Sequence, residues 1–180
     1  MNSKIIKFKD TKPKIANDVF LADGVKIIGD VKISSGSSVW YNSVIRGDVN
    51  NVEIGTNTNI QDGTIIHVSS HGFSATGDKG SSTFIGNNVT IGHNATVHAC
   101  SIKNNVLIGM GSVILDRCIV NELALVAAGA VLPPGTLIKE RELWAGNPAR
   151  FIRLISSKEE ELIYNTSRVY CNLSKEFLKK

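Results

Sequence analysis

An aliphatic residue returns at every sixth position through most of this chain, and that period leaves few folds open. From Ile15 the series runs Leu21, Ile27, Ile33, Val39 and Ile45, slips by three residues, and resumes at Ile54, Ile60 and Ile66. A longer break covers about residues 69–83. Ile85, Ile91 and Val97 then keep the step, one step of five leads to Ile102, and sixes continue through Ile108, Ile114, Val120, Val126 and Leu132. Other columns test the phase independently. Four residues after each start, the broken repeat at Ile66 aside, all seventeen residues are Val, Ser, Thr, Ala or Cys. Three residues after, fourteen are Gly, Asn or Asp, with Cys100, Arg117 and Leu123 the exceptions. Those types tolerate positive φ, as a tight corner every six residues requires. Neither a helical nor an alternating-strand period gives this pattern.

Such columns describe short strands joined at corners, three to a triangular coil, with coils stacked into a parallel β-solenoid. The pattern resembles the left-handed β-helix of the hexapeptide-repeat superfamily over about residues 15–138, and the handedness is what that resemblance implies. The expected fold is mainly β. A left-handed parallel β-helix occupies residues 1–143, with a loop insertion at about 69–83, and a linker and amphipathic C-terminal α-helix occupy 144–180. Ser157 with Glu160 reads as a capping box. Leu162, Val169, Leu173 and Phe177, with Ile163 and Tyr170, read as the apolar stripe of a helix over Lys158–Leu178. Turn formers in Trp144-Ala-Gly-Asn-Pro-Ala-Arg150 let the chain reverse before it.

Composition narrows the class further. A chain of 180 residues, 42% of them hydrophobic, can bury a sizeable core and is not a disordered one. No apolar run approaches the ~20 residues of a membrane span. Met1 to Asp10 carries lysines without the ~7–15-residue apolar core of a secretory signal. Cys100, Cys118 and Cys171 are odd in number and form no CxxC pair. A cytoplasmic protein is expected. The net charge of +4 comes without a long basic run, so neither nucleic acid nor membrane is an expected partner.

The register brings histidines into focus. Coils begin near residues 15, 33, 54, 85, 102 and 120, and equivalent residues of successive coils stack ~4.8 Å apart. His67 and His98 are each the second residue of a third unit, in successive coils, and Arg46 lies in their column one coil below. Two stacked imidazoles can reach one ion at Zn–N distances of ~2.0–2.1 Å. His93 is the third residue of a second unit, above Asp62 and Tyr41, on a different side of the triangle. One chain cannot easily bring all three rings together. A neighbouring copy can, through a heterologous contact that closes as a ring of three. His71, in the loop, reads as an ordinary surface histidine.

The segments Ile45-Arg-Gly-Asp48, Asn59-Ile-Gln-Asp62, Ile66-His67, Ile91-Gly-His93 and Thr96-Val-His98 resemble the motif series of γ-class carbonic anhydrases and their bacterial relatives. That resemblance implies a homotrimer with zinc, or iron or cobalt, at each subunit interface. His67 and His98 of one chain and His93 of the next would be its ligands. Gln61 would hydrogen-bond the metal-bound hydroxide or the small-molecule substrate, with Asn59 assisting. Arg46 and Asp48 would pair across the site's border, and Asp62 would serve as an acceptor beneath His93. Tyr170 and Asn172, in a stretch resembling the family's Tyr-x-Asn, would reach towards the site. The implied activity is reversible hydration of CO₂.

Where the most active members carry proton-relaying glutamates, this chain has Val49 and Ser70, and neither serves as an acid near neutral pH. Slow, buffer-dependent turnover is therefore expected, with Glu53 and His71 as the nearby substitutes. Two other functions stay open at this stage. One is an acyltransferase using acyl-CoA and a lone histidine as general base, whose closing motif Gly146-Asn-Pro-Ala-Arg150 resembles. The other is a non-catalytic metal-binding protein.

Overall fold

The aliphatic series folds into three parallel ladders. The computed structural model describes residues 4–72 and 79–179. Ile15, Ile33, Ile54, Ile85, Ile102, Val120 and Ile138 pair in sequence along the first face. Leu21, Val39, Ile60, Ile91, Ile108, Val126 and Trp144 form the second face. Ile27, Ile45, Ile66, Val97, Ile114 and Leu132 form the third. Together they make a parallel β-solenoid of about 7 turns. Most of its side chains in these ladders are fully buried along the axis, and each such side chain contributes roughly 1.5–3 kcal/mol by leaving water.

The small column closes the corners. Ser43 Oγ donates to the Gln61 carbonyl at 2.8 Å and Thr58 Oγ1 to the Gly86 carbonyl at 2.7 Å, each one coil on. Among the described residues no buried side-chain polar atom lacks a partner. The corner column takes left-handed φ as its composition demands, at Asn42, Asn57, Asn88, Asn94 and Asn105 among others. Arg117 (φ 61°) and Leu123 (φ 58°) do so despite their side chains, so the coil geometry overrides local preference. The third exception differs: Ala99 (φ 48°) turns the corner one residue ahead of Cys100.

Asp18 makes its turn without left-handed φ, and at Asp30 and Asp48 the column runs through strand instead. Lys26–Ile33 and Val44–Ile54 are continuous strands that bend from the third face to the first. The three-residue slip after Ile45 is absorbed inside the second of these, so Asp48 sits in an extended strand rather than in a tight corner. The longer break leaves the phase intact, because His98 pairs directly with His67 across it. The loop's base is tied by Ser69 N–H to the Ser81 carbonyl at 3.1 Å and Ser81 N–H to Ser69 Oγ at 2.9 Å. Residues 73–78 of that loop lie outside the described residues.

The segment read as a linker is an antiparallel hairpin, Glu142–Gly146 with Ala149–Leu154, about a cis Asn147–Pro148 bond. The helix spans Ser157–Leu178 and begins one residue earlier than the capping box inferred from Ser157 and Glu160. Its N-cap is Ser156, with Glu159 completing the box. Arg153 decides between the two registers by gripping Glu159 at 2.7 and 2.9 Å, while Glu160 goes to Arg141 at 2.7 Å.

The inward stripe also differs from the expectation. Ile163 packs on Leu107, Leu125 and Leu143, and Ser167 Oγ donates to the Asn57 carbonyl. Tyr170 and Phe177 pack on Trp40, and Phe177 also on Phe20. Leu162, Val169 and Leu173 are exposed, because small serines at 167 and 174 seat the helix against the coils and turn those three outward. Among the described residues no helix is long and apolar enough to cross a membrane.

Candidate functional site

Side chains singled out from the sequence gather in two clusters on different sides of the prism. The first lies where the third face ends. His67 and His98 stack as paired neighbours with ring centroids 5.3 Å apart and planes at 52°. Thr83 Oγ1 donates to the His67 carbonyl at 2.6 Å, anchoring that strand end. Asp48 Oδ1 lies 3.0 Å from His67 Nε2, while its Oδ2 accepts from Arg46 Nη1 at 2.5 Å. Burial opposes the charge on Asp48, but the hydrogen bonds from His67 and Arg46 hold its carboxyl below the usual range. Burial, aided by the nearby Arg46 charge, pushes the His67 imidazole below its ordinary value, against the pull of Asp48. His67 is thus neutral near pH 7, the form that can ligate a metal.

Asp116 completes this cluster. Its Oδ1 lies 2.5 Å from His98 Nδ1. Sequence reading missed it because it belongs to none of the recognised motifs. Counting alone does not find it either: Val97 pairs with Ile114, seventeen residues on, so the register puts Leu115 above His98 and Asp116 one residue further.

The second cluster lies at the end of the second face. His93 Nδ1 is 2.8 Å from Asp62 Oδ2, and His93 Nε2 is 3.4 Å from the Tyr170 hydroxyl. Burial and the Asp62 charge raise the Tyr170 phenol above its ordinary value, so it remains a donor. Asn59 is buried and donates to Thr90 Oγ1 at 2.9 Å, and its own Oδ1 accepts from Gln61 Nε2 at 3.1 Å. Gln61 is thereby held at the edge of an apolar groove of about 310 Å³ with Leu107, Met110, Leu162 and Thr166. Gly92, one coil above Gln61, also lines the groove, and a Cβ there would meet the Met110 backbone nitrogen at 2.7 Å.

Asn172 is not brought to this cluster. It is exposed, half a turn round the helix from Tyr170, and lines a polar groove with Asn57, Asn88, Arg168 and Lys175. Glu53 points outward on the first face between Lys32 and Phe84, and Val49 is exposed. Among the described residues no three metal-binding side chains of one chain surround a common point.

The family model described as dynactin subunit 5 matches residues 11–178. "Probable carbonic anhydrase" of Methanocaldococcus jannaschii is 39% identical over 160 residues, 89% of this chain and 95% of the relative. This chain belongs to the γ-class carbonic anhydrase-like branch of the hexapeptide-repeat proteins. "Gamma carbonic anhydrase 2, mitochondrial" of Arabidopsis thaliana is another relative, 43% identical over 165 residues and 92% of this chain. The chain spans only 58% of that relative's length. A crystal structure of a hexapeptide transferase family protein from Anaplasma phagocytophilum superposes with a TM-score of 0.89 at 38% identity, covering 98% of this chain and 99% of that one. The proteins this chain resembles thus carry both carbonic anhydrase and transferase names.

Proposed function

We propose that this chain is a metal-dependent carbonic anhydrase-like enzyme that assembles as a homotrimer and hydrates CO₂ at sites shared between copies. The observation that carries this reading is the split constellation: a stacked histidine pair at one corner and a single histidine at another, each ring held by a carboxylate. A lone general base, as an acyltransferase would use, needs no such set. The donors fit a divalent metal of the zinc, iron or cobalt kind, because imidazole suits all three and carboxylate partners are what orient metal-ligating histidines.

His67 and His98 of one copy and His93 of the partner subunit would hold the ion. A cation bound by three neutral imidazoles supplies a Lewis acid that makes water nucleophilic near neutral pH. The chain's own groups do the rest. Asn59 holds the Gln61 amide at the groove's edge, where it orients substrate through hydrogen bonds. The Tyr170 hydroxyl, kept protonated, stands beside His93 as a further donor. The apolar wall of Leu107, Met110 and Leu162 leaves the small apolar substrate without competition from bound water. Met110 and Leu162 are exposed in the isolated chain, which fits their burial against a second copy. Arg46 and Asp48 border the same contact. The reducing cytoplasm suits the three free cysteines.

Proton export is the weak link. Val49 carries no titratable group and Glu53 faces away, so turnover depends on buffer. The experiment is metal analysis of the purified protein with CO₂ hydration followed in weak buffer, with and without added imidazole. About one ion per chain is expected, with slow hydration that imidazole accelerates. Fast turnover without buffer would overturn the missing relay. Metal-free histidines with acetyl-CoA raising the unfolding temperature would overturn the lyase reading in favour of acyl transfer.

A further inference from the structure

Asp116 lies outside the segments that carry the family resemblance in the sequence, yet it makes the shortest of the three aspartate–histidine contacts. The distances are 3.0 Å at His67, 2.8 Å at His93 and 2.5 Å at His98. Its corner is fixed from both neighbouring coils. Arg117 N–H donates to the Ala99 carbonyl at 2.7 Å, and Gly135 N–H donates to the Asp116 carbonyl at 2.8 Å. One coil below, the chain turns at Ala99 rather than at Cys100, which ends the strand on His98 and sets its ring under the Asp116 carboxylate.

The contact selects a nitrogen. A neutral imidazole carries one N–H, and an ionised carboxylate can only accept, so the hydrogen goes to Nδ1 and the lone pair stays on Nε2. His67 is approached from the other end: Asp48 meets its Nε2. The two stacked rings are therefore oriented by different carboxylates acting on different nitrogens. Asp48 is shared with Arg46, whereas Asp116 is the carboxylate aimed at His98.

We infer that Asp116 is a positioning residue for metal capture, fixing the His98 tautomer and ring angle so that Nε2 presents its lone pair to the shared ion. The inference rests on the metal-site reading above and adds a residue to it. Removing the carboxylate leaves His98 free to carry its hydrogen on Nε2 and to rotate, so the ion is lost more readily while the coil itself keeps its backbone bonds.

The test uses the full chain with Asp116→Ala and Asp116→Asn beside the unsubstituted protein. Zinc affinity is read by chelator competition, the cobalt-loaded form by its visible spectrum, and the metal-free proteins by thermal unfolding and assembly size. Asp116→Ala should weaken zinc binding ~10–100-fold and alter the cobalt spectrum, with metal-free unfolding temperature and size unchanged. Asp116→Asn, which can still accept from Nδ1–H, should lose less. Equal zinc affinity in Asp116→Ala and the unsubstituted protein would overturn the inference and leave the metal site standing. An unsubstituted protein that takes up no zinc would overturn both. An Asp116→Ala protein whose metal-free form melts early or falls apart, with Asp116→Asn restoring it, would make the contact a structural one and overturn the inference.

Discussion

Two inactive variants should restore each other when mixed. His93→Ala removes the ring beside Tyr170 and leaves the His67–His98 pair intact, whereas His98→Ala removes the ring held by Asp116 and leaves His93 intact. If each site joins the third-face pair of one copy to the second-face histidine of the next, either variant alone has every interface broken. In a randomly assembled equal mixture, an interface works when a His93→Ala copy precedes a His98→Ala copy. Each condition is met about half the time, so about one quarter of the interfaces are complete. The assay is co-refolding at varied ratios, followed by zinc content per chain and CO₂ hydration. Both signals should vanish for each variant alone and rise to about one quarter of the unsubstituted value at equal mixing. Full zinc content in His93→Ala alone, or a mixture no better than its components, would refute a site shared between copies.

Three further outcomes test the frame that carries the site. Ile114, buried in the third-face ladder between Val97 and Leu132, should cost about 2–5 kcal/mol when replaced by alanine, read from denaturant unfolding. A loss well below that range would contradict a close-packed axis. Gly36→Ala would put a Cβ 2.3 Å from Asn57 Oδ1 at a φ of +72°. The left-handed conformation alone costs roughly 1–2 kcal/mol, so its melting temperature should fall, and an unchanged melt would contradict the corner geometry. The Glu159 carboxyl is held down to about 2 by Arg153 and the Ser156 cap, against an ordinary 4.5. Its stabilising charge is therefore fully present above pH 4.5 and is lost as pH falls towards 2. Glu159→Gln should flatten the acid unfolding curve in that window, and an unaltered curve would reject the cap's contribution.

Most of the coil was legible because a solenoid writes its geometry in fixed columns. The aliphatic axis, the small inward column and the left-handed corners each demand a narrow residue class. Local exceptions were not legible. Ala99 turns a corner that composition assigned to Cys100, and the continuous strand through Asp48 hides a corner that the period implied. At the helix start, Ser156-Ser157 and Glu159-Glu160 offer the same box in two registers, and only Arg153, paired through tertiary contact, chooses. The apolar stripe misled for a similar reason: hydrophobicity alone cannot say which side of Leu162 and Val169 meets this chain. The stacked pair His67 and His98 followed from counting, since register alone places them together. Asp116 did not follow from the same counting, which puts Leu115 above His98; it reaches the ring from the neighbouring corner.

The C-terminal helix touches the prism almost end to end: Ile163 rests on Leu143 and Leu125, Ser167 on Asn57, and Phe177 on Phe20. Coils that contact only their neighbours can fray one at a time from either end. A rod lashed along them couples the outermost turns, so that loosening one strains the rest. Loss of this batten would convert a single sharp melt into a gradual peeling, with the histidine-bearing turns in the middle the last to let go.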